Sequence, residues 1–127
     1  MKFSPKDPPR RFEVGHDVRF DLQDCGTAYM QPDEQITFVT ESGAEYDVVR
    51  KDWGFYATPS LNGRLPQCGF HGALVVNDSR RYYVLLVEIG KEEPFAAYCS
   101  QERLRVVVWL NHTDQVEAMF GGSVDHQ

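Results

Sequence analysis

From Phe12 to Leu22 apolar and polar side chains alternate, with Phe12, Val14, Val18, Phe20 and Leu22 on one side and Glu13, Asp17, Arg19 and Asp21 on the other. A period of two predicts a half-buried strand, and Gly15 marks a bend in it. His16 falls in the apolar register. Asp24-Cys25-Gly26 reads as a turn, Thr27 to Met30 as a short strand, and Pro32-Asp33-Glu34 as a second turn. Gln35 to Thr40 is rich in β-branched and aromatic residues, which favour strand over helix. Glu41-Ser42-Gly43-Ala44 then folds the chain back onto Glu45 to Lys51 as a hairpin. The first half is predicted to be an antiparallel meander.

In the second half, His71 to Asn77 and Arg81 to Ile89 flank the turn Asn77-Asp78-Ser79-Arg80 and are almost continuously apolar. Runs of this kind predict central strands buried on both faces. Gly90-Lys91-Glu92-Glu93-Pro94 opens a helix, with acids and a proline in the first turn, where both are tolerated. Phe95, Tyr98, Cys99 and Glu102 follow at helical spacing. Arg105 to Leu110 returns as a buried strand, parallel to Arg81–Ile89 through a right-handed crossover. Thr113 or Asp114 caps a short C-terminal helix carrying Val116, Met119 and Phe120. The expected fold is α+β: a mostly antiparallel sheet of about six to eight strands, curled or two-layered, with one helix on a face and a short C-terminal helix. Residues 1–11, with Pro5, Pro8 and Pro9, are expected to be an arm outside regular structure, residues 12–120 one globular domain, and residues 121–127 a tail.

Composition narrows the functional classes. The 127 residues suit one domain, and 42% apolar with 25% charged residues is ordinary globular usage. A formal charge of −6 with scattered basic residues disfavours a nucleic-acid partner, which needs a basic face. No apolar stretch long enough to span a bilayer is present. Cys25, Cys68 and Cys99 are odd in number and far apart, which suits a reducing compartment. The charged, proline-containing start lacks the apolar segment of a signal peptide, so the expectation is cytoplasmic. No Gly-x-Ser-x-Gly, P-loop or dinucleotide fingerprint occurs. The four histidines have no ligand spacing; a metal set from His16, Asp17 and His71 is outweighed by independent rim histidines. Neither cofactor nor catalytic residue is assigned, and the chain reads as a binding protein more readily than as an enzyme.

Candidate chemistry concentrates between Tyr46 and Leu65, where a strand is expected to end in Trp53-Gly54-Phe55-Tyr56 and break into the loop Thr58-Pro59-Ser60-Leu61-Asn62-Gly63-Arg64. Aromatic rings beside amide, guanidinium and carboxylate groups suit a sugar: its C–H faces pack on rings and its hydroxyls bond to the planar groups. Trp53, Tyr56, Asn62 and Arg64 are therefore the expected ligand-binding residues, against the plainer reading that the aromatics are core. Two alternatives stand beside this one. A small acid–base enzyme would use Asp47 or Asp52 with His71. A self-associating module, a homodimer, would cover apolar surface around Trp53, Phe55, Tyr82 and Trp109.

The wording EYDVVRKDWGFYATPSLNGRL, followed by GALVVN and YYVLLVEIGKE, resembles a family of small bacterial proteins associated with gene clusters for surface polysaccharide and lipopolysaccharide synthesis. The resemblance covers Phe12 to Leu110. It implies a setting among enzymes that make or modify activated sugars, and it brings no activity and no catalytic residue.

Overall fold

A computed structural model describes residues 1–121. These form strands β1 (Lys2–Val14), β2 (Phe20–Tyr29), β3 (Gln35–Val39), β4 (Glu45–Lys51) and β5 (Gly54–Ala57), helix α1 (Arg64–Gln67), strands β6 (Phe70–Val76) and β7 (Tyr82–Glu88), helix α2 (Glu92–Glu102), strand β8 (Arg105–Trp109) and helix α3 (Thr113–Ala118). The α+β class and the antiparallel character are as expected. Instead of one curled sheet there are three small ones: the ribbon β1-β2, the sheet β3-β4-β5 and the sheet β7-β6-β8.

The ribbon corrects three sequence expectations. The alternation from Phe12 to Leu22 belongs to two strands rather than one: β1 ends at Val14, the chain reverses, and Val14 pairs with Phe20 and Phe12 with Leu22. Gly15 makes this reversal, with φ +122° and no room for a Cβ against the Val18 carbonyl. Asp24-Cys25-Gly26 is interior to β2 and not a turn. The proline-rich residues 2–11 are strand too, paired along β2 and interrupted where Lys6 to Pro9 bulge between the pairs Pro5–Gly26 and Arg10–Asp24. Proline is tolerated there because β1 is an edge strand and the bulge needs no ladder donors. The Asp24 carboxylate ties the bulge down, accepting from the Gly26 N–H at 3.2 Å and pairing with Lys6 at 3.4 Å and Arg10 at 3.5 Å.

β6 is the central strand of the third sheet, and both of its faces are covered. On one face Phe70 packs with Leu65 of α1, Ala44, Tyr46 and Leu86. On the other, Ala73, Val75 and Val87 pack with Phe95, Leu104, Val106 and Trp109. α2 thus covers one side, while α1 and the β3–β4 turn cover the other. β7 and β8 both pair antiparallel to β6, so they run parallel to each other, as expected, but with β6 between them. β7 is consequently an edge and not a doubly buried strand: Tyr82, Tyr83 and Val84 are exposed. The second and third sheets join where the Glu45 N–H donates to the Cys68 carbonyl just before β6. Glu88 adds to the joint by accepting from the Ser42 hydroxyl at 2.8 Å and from Thr40. Those hydroxyls hold its carboxyl below the usual carboxylate range.

Candidate functional site

The focal stretch folds as a hairpin rather than as one strand leading into a loop. Lys51 pairs with Gly54, so Asp52-Trp53 is the two-residue connection between β4 and β5. The reversal regroups the side chains. Phe55 and Ala57 share a face with Tyr46, Val48 and Arg50, whereas Tyr56 shares the other with Asp47 and Val49. Trp53 projects from the tip with 71% of its surface exposed, and Phe55 and Tyr56 are also exposed. The expectation that these aromatics could be core is not met.

Asp47 organises the face that carries Tyr56. It accepts from the Thr37 hydroxyl at 2.5 Å across the β3–β4 pair, and its second oxygen lies 3.8 Å from the Arg64 guanidinium. Arg64 is brought there by α1, a single helical turn that begins at the last residue of the expected loop. That turn is held from its N-terminal side, where the Ser60 hydroxyl accepts the Arg64 N–H at 3.0 Å and the Ser60 carbonyl accepts the Leu65 N–H at 3.0 Å. Leu65, fully buried, fixes the helix to the core. Tyr56, Asp47 and Arg64 therefore form a partly exposed group of ring, carboxylate and guanidinium, with Trp53 at the end of the same hairpin.

Asn62 points elsewhere. Its amide donates to the Thr113 hydroxyl at 3.0 Å, and it lines an apolar cleft of about 300 Å³ with Leu61, Leu110, Val116 and Phe120. Of the four expected ligand residues, Tyr56 shares the face of Asp47, the partner of Arg64, Trp53 stands at the hairpin tip away from that pair, and Asn62 belongs to the cleft beside α3.

His71 has a different setting from the one expected. The Asn111 side-chain amide lies 3.0 Å from its Nδ1, and its Nε2 faces Glu92 at 3.5 Å. Trp109 lies edge-on, 5.9 Å between centroids, and with Glu92 and His112 these residues surround a recess of about 180 Å³. The carboxylate beside His71 is thus Glu92 from the first turn of α2, because β6 turns His71 toward α2 and not toward the β4 face. Asp47 is engaged by Thr37 and Arg64, and Asp52 sits in the hairpin turn. Among the described residues no hydrogen bond or ion pair joins His71 to either aspartate, and the expected acid–base pairing is not formed.

His16 contacts its neighbour Asp17 at 3.3 Å, away from the partners of His71. Among the described residues no three His, Cys, Asp or Glu side chains are grouped to hold a metal ion. His126 lies outside the described residues. The three cysteines are unpaired, and burial raises the Cys99 thiol above its ordinary value. Among the described residues no helix is long and apolar enough to cross a membrane. No family model, curated protein or solved structure matches the chain.

Proposed function

We propose that the chain is a noncatalytic binding module for a carbohydrate-related ligand, a saccharide or the sugar of a nucleotide sugar, serving the enzymes of bacterial surface polysaccharide synthesis in the cytoplasm. The observation that carries the reading is the β4–β5 hairpin. An exposed Tyr56 shares a face with Asp47, the partner of Arg64, and an exposed Trp53 stands at the far tip of the same hairpin, while a fully buried Leu65 anchors the helix that carries Arg64. Apolar C–H faces of a sugar ring pack on exposed rings, and its hydroxyls can bond to guanidinium and carboxylate. Isothermal titration of a panel of neutral saccharides tests it. Binding of at least one is expected, weakened about tenfold, ~1.4 kcal/mol, by Trp53→Ala or Tyr56→Ala. Affinity indifferent to both substitutions would reject the hairpin as the contact surface.

A second reading, self-association, is favoured by the extent of exposed surface. The chain exposes 9176 Å², against ~6,900 Å² for a compact monomer of its mass. Much of the apolar part lies on the ribbon and the edge strands: Phe3, Leu22, Tyr29, Phe38 and Tyr82 are each more than 40% exposed. Exposed apolar surface of this kind is what a homodimer would cover.

A further inference from the structure

We propose that the cleft between the β6–β7 turn and the C-terminal end of α2 is an anion site, built for the diphosphate of a nucleoside diphosphate. The cleft has a volume of about 590 Å³, and its lining includes Arg80, Arg103, Arg105, Tyr82 and Asp78. In a chain of formal charge −6, three guanidinium groups against the Asp78 carboxylate of the lining and the Asp17 carboxylate behind Arg103 leave a local excess of positive charge.

Two of these arginines stand where the backbone favours glycine. Arg80 closes the three-residue loop Asp78-Ser79-Arg80 with φ 62°, the left-handed position that such hairpin loops usually give to glycine. Arg103 ends α2 with φ 55°. There the Leu104 N–H donates to the Cys99 carbonyl at 2.8 Å and the Arg103 N–H to the Ser100 carbonyl, the helix ending in which glycine is again the usual left-handed residue. The third non-glycine residue with positive φ among those described, Asp33, is not part of the cleft. A local rule broken twice at one cavity marks a place where the side chain matters more than backbone comfort.

The arginines also differ in what holds them. Arg103 is occupied by Asp17, at 3.0 and 3.4 Å, with Asp78 at 3.9 Å. Among the described residues Arg80 and Arg105 make no ion pair, so two guanidinium groups remain for a ligand. The turn that carries Arg80 is preorganised: the Asn77 side-chain oxygen accepts from the N–H groups of Ser79 at 3.0 Å and Arg81 at 2.9 Å. Guanidinium groups bind phosphate oxygens in a bidentate manner. The volume far exceeds one phosphate, and the exposed ring of Tyr82 on the same wall offers a stacking surface for a base. This site shares no residue with the β4–β5 surface and does not rest on the saccharide reading.

The test is calorimetric titration of the full chain, at low salt, with uridine diphosphate, inorganic pyrophosphate and a neutral sugar as control. Uridine diphosphate is expected to bind, more tightly than pyrophosphate and less tightly as salt is raised. Arg80→Gly should weaken it at least tenfold while melting no lower than the parent chain, since glycine suits that backbone. Arg105→Gln, an exposed change, should do the same without touching the turn. No binding of either phosphate compound at millimolar concentration would overturn the proposal, as would unchanged affinity in both variants. Pyrophosphate binding as tightly as uridine diphosphate would overturn the role given to Tyr82.

Discussion

Leu65 and Trp53 show how differently two large apolar side chains a dozen residues apart can serve one protein. Leu65 is fully buried among Ala44, Phe70 and Leu86, and it holds α1 in place. Truncation to alanine should cost about 2–5 kcal/mol, the usual range for a buried leucine, and urea unfolding monitored by circular dichroism would measure it. Trp53, 71% exposed, should behave in the opposite way. Trp53→Ala is expected to change stability by less than about 0.5 kcal/mol while weakening ligand binding. A large loss of stability in that variant would mean that Trp53 is a structural residue and not a contact residue. The sequence announced the aromatic cluster but not its arrangement. A two-residue turn at Asp52-Trp53 leaves no mark stronger than Gly54, so the stretch reads as one strand and not as the hairpin it forms.

Among the elements, the β1–β2 ribbon is the one whose stability should depend most visibly on pH. A two-stranded ribbon is marginal alone in water, and this one is braced internally by the charged partners of Asp24 and tied at its start to Glu34. Asp24 is held below the usual carboxylate range chiefly by the Gly26 N–H, then by Lys6 and Arg10, and Glu34 chiefly by the N-terminal ammonium 2.6 Å away, then by the Gln31 N–H. Groups whose folded pKa is depressed stabilise above their ordinary value and lose that contribution as pH falls through the depressed one. Amide protection in β1 should therefore fall below about pH 4, the ordinary carboxylate range, while β6 stays protected. Asp24→Asn should loosen the bulge already at neutral pH. Hydrogen exchange followed by mass spectrometry reads both, and equal loss of protection in β1 and β6 would mean that the ribbon is not a separate unit. The strands themselves were largely legible: β3, β4, β6, β7, β8 and α2 fall within a residue or two of the hydrophobic pattern. The ribbon was not, because proline content argues against central strands and says little about an edge strand with a bulge. α1 was missed because a single turn containing Pro66 has no helical period to detect.

For the molecule as a whole, the division into three small sheets follows from where the core lies. β6 is covered on both faces by α1, α2 and the β3–β4 turn, and this leaves the ribbon and the outer strands with little to pack against. Local apolar runs predicted strands well but could not say which would be edges, since edge and centre are decided by pairing order. Self-association would give these surfaces a partner. Light scattering after size exclusion at tens of micromolar is expected to report two chains, with roughly 1,200–2,000 Å² buried. A single-chain mass would reject the dimer. The binding reading is tested most directly by chemical-shift mapping of the isotope-labelled full chain during titration with the saccharide panel. The expected result is perturbation centred on Trp53, Tyr56 and Arg64, including the Trp53 indole N–H, and absent from the buried residues of β6. A flat response across the β4–β5 hairpin with every saccharide would contradict it.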